Sequence, residues 1–276
     1  MENLVNALKT NRAFAFASAL VLLLILLALA APLIAPYDPL AAEMKNAYLP
    51  PSPEHLFGTD KLGRDCFSRI LYGASYSLSS VLLLVAVIFA VGTSLGVAAG
   101  DFGGKTDTVI MRISDMMISF PGMILAIAIA GILGGSLINA IIALTIVSWT
   151  KYARLARSMV LKIKKRDFVE AAVVNGGKPL HILSRHIVPN ILPLMVITAA
   201  SDIGAMMMEL AGLSFLGFGS QPPAPEWGLM LNEGRQQLQT APWLMVFPGL
   251  AIFVTVVIFN LWGDALRDVL DPRQED

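Results

Sequence analysis

The chain has 276 residues, of which 56% are hydrophobic and only 14% charged. Its mean hydropathy of +0.69 excludes an ordinary soluble domain and places it in a bilayer. Lys plus Arg and Asp plus Glu number 20 each, so net charge points neither to nucleic acid nor to an acidic substrate.

Apolar runs able to cross roughly 30 Å of hydrocarbon, about 20 residues each, fall near 13–35, 77–99, 116–134, 135–150, 187–210 and 243–263. They predict an all-α integral membrane protein with six transmembrane helices. Lys9, Arg12 and the Ala28-Leu29-Ala30 stretch imitate a secretory signal. The first apolar run is longer than a signal core of about 7 to 15 residues, however, and reads as an uncleaved anchor.

Next along the chain, residues 64–75 read as an interfacial helix with Phe67, Ile70 and Leu71 on its apolar side. Cys66, the single cysteine, excludes an internal disulfide and reads as a small packed side chain; His55, His181 and His186 are too scattered to draw a metal-ligand spacing. Gly92, Gly96 and Gly100 recur every four residues on the second run, so they share one helix face and form a packing seam, whose spacing fits packing within the subunit, the favoured reading, or against a partner subunit. Residues 99–106, AGDFGGKT, come within one glycine of a phosphate-binding loop. Such a loop must follow a strand, and this stretch follows a membrane span, so it reads as a flexible turn. Asp115 falls near the exposed start of the third run, and Gly134-Gly135-Ser136 makes the third and fourth runs a tight hairpin.

Basic residues orient the bundle. With the N-terminus cytoplasmic, the inside segments hold 15 of the 20 Lys and Arg and the outside segments hold 5. The stretch between the fourth and fifth runs then faces the cytoplasm. There Asp167 and Glu170 match an N-cap and its capping-box partner, predicting a helix from Phe168. Gly176 and Gly177 end it, Pro179 suits the first turn of a second helix, and Pro189 disturbs that helix as it enters the membrane. Ala171 and Ala172 keep one face thin, and Val169 and Val173 offer apolar anchors for a partner. A basic loop that merely obeys the topology rule shares these features, so the residues alone leave both readings open.

The fifth run carries Asp202 and Glu209, seven residues apart and so on nearly the same face. A carboxylate at that depth demands a partner or water, which points to the pore. No Lys or Arg is expected at similar depth in another run, so no ion pair is predicted. Bonding of Asp202 to backbone or hydroxyl groups, and reach of Glu209 to the outer interface, are the alternatives. Of Met206, Met207 and Met208, at most one or two can share a site, whether as thioether ligands or as gap fillers, and Met206 is the pore candidate. Beyond them Pro222, Pro223, Pro225 and Trp227 stiffen an outer loop.

Glu170-Ala171-Ala172, Gly176 six residues after the Glu, and His186-Ile187-Val188-Pro189-Asn190 together resemble the EAA loop of ABC-importer permeases of the dipeptide, oligopeptide and nickel transporter family. HLFGTDKLGRDCFSRILYG (55–73), LSFLGFGSQPPAPEWGLML (213–231) and FNLWGDALRDVLDPR (259–273) extend the resemblance over nearly the whole chain. Asn175 and Gly177 are local variations on the motif, and IGAMMMELAGLSFLG (203–217) looks closer to nickel-type than to peptide-type members. The resemblance implies a C-type permease of the type I importer (MetI-like) architecture. Residues 1–75 would form an anchor helix and an extracytoplasmic segment, and 76–276 a five-helix core with a coupling loop at about 163–186. Phe168, Val169, Glu170, Ala171, Ala172, Val173, Asn175, Gly176 and Gly177 would contact a cytoplasmic ATPase. The implied assembly sits in a bacterial inner membrane, with both termini cytoplasmic. It has a second homologous permease subunit, two ATPase subunits carrying ATP and Mg, an extracytoplasmic substrate-binding protein and surrounding lipid, with no cofactor on this chain and no nucleic acid. Its cargo would be nickel, free or chelated, or di- and oligopeptides. The competing readings are a gradient-driven carrier working through Asp202 and Glu209, which ought to show an internal repeat, and a membrane enzyme, for which no paired nucleophile and base appears.

Overall fold

The computed structural model describes residues 11–270; Lys9, Arg273 and both chain termini, on which the orientation partly rests, lie outside them. The chain runs α1 (Arg12–Ile34), α2 (Cys66–Phe102), α3 (Gly104–Ile118), α4 (Gly122–Leu133), α5 (Leu137–Ile163), α6 (Asp167–Val174), α7 (Pro179–Ile182), a π-helical turn (Leu183–Ile187), α8 (Val188–Phe215), α9 (Trp227–Gly234) and α10 (Trp243–Leu270). Several helices start where a side chain can satisfy the free N–H groups of the first turn. Asn11 accepts from Phe14 N–H at 3.1 Å to open α1, and Ser136 accepts from Asn139 N–H at 3.1 Å to open α5. Asp65 accepts from Ser68 N–H at 2.7 Å to open α2.

Because that cap sits at Asp65, residues 66–75 are the first turns of the 37-residue α2 and not a separate interfacial helix. The division at 75/76 therefore falls inside a helix. Cys66 is buried beside Ala241 and Leu244, as its reading as a packed side chain required.

Among the described residues, four stretches are long and apolar enough to cross a membrane: Arg12–Ile34, Cys66–Phe102, Pro179–Phe215 and Trp243–Val269. A fifth appears if α3 and α4, bent by 95°, count as one broken span. The expected run at 116–134 thus lies across a break at Ser119–Pro121, where Pro121 caps α4. At 12 residues, α4 alone reaches only about 18 Å. The expected run at 135–150 is the apolar half of α5, whose other half carries Lys151, Arg154, Arg157 and Lys162. The count of six transmembrane helices is therefore not confirmed in number: four or five stretches qualify among the described residues.

The glycine seam packs α2 on α5, inside the subunit. A Cβ added at Gly96 would lie 2.3 Å from the Ala153 carbonyl oxygen, and one at Gly92 would lie 2.6 Å from that of Trp149. Only glycine admits so close an approach. One core cluster joins α2, α4, α5, the loop after α5 and α8; a second joins α1, α2, α8, α9 and α10. Residues 99–106 form the helix–helix turn between α2 and α3, with Gly103 and Gly104 both at positive φ.

Candidate functional site

The segment slung between α5 and α8 is a helix, a tight turn and a second short helix. α6 starts at Asp167 with Arg166 at the cap position and no capping side chain, so the expected capping box at Asp167 does not form. Asp167 and Glu170 occupy the first turn instead, where carboxylates suit the positive helix end. Gly177 N–H donates to the Ala172 carbonyl at 3.0 Å and Gly176 N–H to that of Val173 at 2.9 Å. With Gly176 at φ +77°, this is a Schellman ending that needs the glycine. Pro179 opens α7 as expected. Pro189 lacks the N–H that would bond Arg185, and the chain passes through the π-helical turn just before it.

Val169 turns inward, buried with Val160, Ile163, Ile182 and Ile187. Its expected role as a partner's anchor is corrected: it fastens the helix to its own chain. Phe168, Val173, Val174 and Leu180 are the exposed apolar side chains, Val174 at 86%. Glu170, Ala171, Asn175 and Gly176 are exposed beside them, and Ala172 and Gly177 are half-buried. Above this segment, the basic end of α5 is pinned by Arg157 to Asp107, with Nη2 to Oδ2 at 2.6 Å, and by Arg154 to Asp115 at 3.0 Å. Lys164 reaches Asp101 at 3.0 Å.

Asp202 is not the partnerless carboxylate that its run suggested. Lys151 Nζ donates to its Oδ1 at 2.6 Å and its Oδ2 at 2.9 Å, and Tyr152 OH donates to Oδ2 at 3.0 Å. Sequence reasoning ended the fourth span at residue 150 and so missed a lysine one residue further along the same helix. Met206 packs half-buried against both core clusters, so the exposed methionine of the trio is Met208. Glu209 is half-buried two turns beyond Asp202.

A second charged cluster, unforeseen, lies at the opposite end of the bundle. Arg64 and Arg69 are almost wholly buried, Arg69 at 1% exposure. Arg64 Nε donates to Asp60 Oδ2 at 2.6 Å and Arg69 Nη1 also meets Asp60. Both arginines reach Glu233 near the end of α9, Arg69 at 3.0 Å and Arg64 at 3.2 Å. His55 Nδ1 lies 3.0 Å from Asp65, and Trp243 Nε1 donates to the Thr59 carbonyl at 3.2 Å. Its one sequence signal was the crowding of Asp60, Arg64 and Arg69 ahead of an apolar run. Beside it, Glu226 accepts from Gly228 N–H at 2.8 Å and Leu229 N–H at 2.9 Å to cap α9. Burial pushes its carboxyl above the usual range, opposed by those two N–H bonds.

Long apolar helices, a braced helical turn with an apolar outer face at one end and a cross-linked charged cap at the other define a multi-pass membrane permease driven from outside its own chain. The chain belongs to the family described as binding-protein-dependent transport system inner membrane component, whose model matches residues 92–276. Residues 4–51 match the N-terminal transmembrane domain of oligopeptide transport permease C. It is 42% identical to the nickel transport system permease protein NikC of Escherichia coli K12, over 86% of each chain. It is 44% identical to the dipeptide permease DppC of Alkalihalophilus pseudofirmus, over 90% of this chain and 82% of that one. With the glutathione permease GsiD of Escherichia coli O6:K15:H31 it shares 47%, over 87% and 80%. In fold it is similar to a chain of the inward-facing MetNI methionine ABC transporter, at 20% identity and a TM-score of 0.58, covering 74% of this chain and 97% of that one.

The protein is thus a permease subunit of an ATP-driven ABC importer in the inner membrane, a transport component whose ATP is hydrolysed by separate subunits. The gradient-driven alternative finds no support among these relatives.

Proposed function

We propose that this chain forms half of a translocation pore with a second, homologous permease, and that α6 and the turn after it dock on a cytoplasmic ATPase. The observation that carries this is the exposed apolar face of Phe168, Val173 and Val174 on α6, whose opposite side is locked into the core by Val169, with Leu180 exposed on α7 after the turn. A surface so apolar and so rigidly held suits a groove in another protein. Residues 168–177 make that contact, apart from Val169, which holds the helix to its own chain from behind. Two ATPase subunits binding ATP and Mg close and open, and their closure shifts the permease between two states that they bind with different affinity.

Both termini lie on the cytoplasmic side, with the charged cap facing an extracytoplasmic binding protein. An N-terminal part, within 1–75, acts as anchor and outer segment and the remainder as the permease core; the two separate family models, over 4–51 and 92–276, support two parts but not a boundary at 75/76, which lies inside α2. The face of α8 bearing Met208 and Glu209 lines the pore near Asp202. The cargo is nickel, free or chelated, or a di- or oligopeptide. Relatives named for nickel, dipeptide and glutathione transport stand within a few per cent of one another in identity, and that spread lends no weight to the nickel-like look of residues 203–217.

The test is uptake of labelled nickel and of a labelled dipeptide by cells making this chain with its partner subunits. Glu170→Lys and Gly176→Pro are expected to abolish uptake while the subunit still inserts and ATP is still hydrolysed. Unchanged uptake in both variants refutes the docking assignment.

A further inference from the structure

We infer that Lys151, Tyr152 and Asp202 are positioning residues that tie α5 to α8, so that a push on the coupling segment moves both helices together. This rests on the docking reading above. The coupling segment hangs between the end of α5 at Ile163 and the start of α8 at Val188, so any force on it divides between two arms. Near the loop the arms meet through aliphatic side chains, Val160 and Ile163 with Ile191 and Met195 in one cluster. Such contacts are non-directional and do not fix one helix against sliding along the other.

Among the described residues, the polar side-chain links between α5 and α8 are those made to Asp202 by Lys151 and Tyr152. Lys151 stands twelve residues before Ile163 and Asp202 fourteen after Val188, which at the helical rise puts them about 18 and 21 Å from the loop. The tie therefore closes the two arms into a frame at one level. It is also costly to open. Asp202 has a side chain only 12% exposed, and parting it from its lysine leaves a charge uncompensated at membrane depth.

Lys151 itself is 60% exposed. An ammonium facing lipid there would be prohibitive, so this side of α5 looks onto water or protein. Glu209, seven residues on from Asp202 and so on nearly the same face of α8, is half-buried on that side. The tie is thus set at the edge of the path that its movement would open.

The test uses the complete importer with its partner subunits in proteoliposomes. Uptake of labelled nickel or dialanine, whichever the complex carries, is measured with ATP hydrolysis in the same vesicles. Lys151→Met and Asp202→Asn are expected to lower cargo moved per ATP about tenfold, and the swapped pair Lys151→Asp with Asp202→Lys to recover most of it. If either single variant fails to assemble, a second route remains: Lys151→Cys with Asp202→Cys, joined by a short thiol cross-linker that the buried Cys66 cannot take up. Linking should then restore the ratio. An unchanged ratio in the single variants overturns the tie, as does a recovery that neither the swap nor the cross-link provides. Glu170→Lys run alongside separates the causes: if it uncouples and the tie variants do not, only the tie is wrong, whereas if it does not uncouple, the docking reading falls first.

Discussion

The charged cap and the coupling segment solve opposite problems at opposite ends of the bundle. Around Asp60, Arg64, Arg69 and Glu233, ionic groups are buried and paired with one another, while around α6 apolar groups are left in the open. The first arrangement pairs its charges within the subunit. On the docking reading proposed above, the second is completed by another protein. Where charge is hidden the chain is fixing its own shape, and where hydrocarbon is displayed it is offering a contact.

The comparison breaks first at the cap. Asp60→Asn removes one of two carboxylates that neutralise two buried guanidinium groups, and should cost about 3 to 5 kcal/mol, read as a lowered melting temperature of the detergent-purified subunit. At the other end, Val174→Ser with Leu180→Ser should leave that melting temperature unchanged. It should instead weaken ATPase binding by about 2 kcal/mol, roughly thirtyfold, in a pull-down titration against the purified ATPase. A drop in melting temperature there would mean that the face is structural.

The smallest effect concerns Glu226. Its folded carboxyl binds a proton more tightly than in the unfolded chain, so its contribution is favourable at acid pH and is lost as pH rises through the raised folded value. The loop around α9 should become slightly less stable as pH rises above the ordinary carboxyl range, a difference that Glu226→Gln abolishes when both are melted across the same pH series.

How much of this could be read from the chain differs by interaction type. Local signals were legible: the double-glycine ending of α6, the proline opening α7 and the four-residue glycine seam all depend on near neighbours or on one helix face. Pairings across long separations were not. Nothing near Asp202 announces Lys151, 51 residues away, and nothing near Arg64 announces Glu233, 169 residues away. Hydropathy also misled where two causes overlap. It read one span through residues 116–134, although Pro121 breaks the helix there, and it stopped another at Trp149–Thr150, although α5 runs on to Ile163. Val169 looked like an outward anchor because composition shows that a valine is present but not which side of a short helix the core will claim.

The three glycines of α2 reach further than the packing they allow. α2 begins inside the charged cap, where Asp65 caps it and Arg69 is bound, and it ends at Phe102, just after Asp101, which holds Lys164. Because Gly92, Gly96 and Gly100 lay its backbone directly on α5, there is no layer of flexible side chains between the two helices to absorb displacement. On the docking reading proposed above, a shift of α5 near the coupling segment would pass to α2 as rigid-body motion, with no relay of rotamer changes on the way.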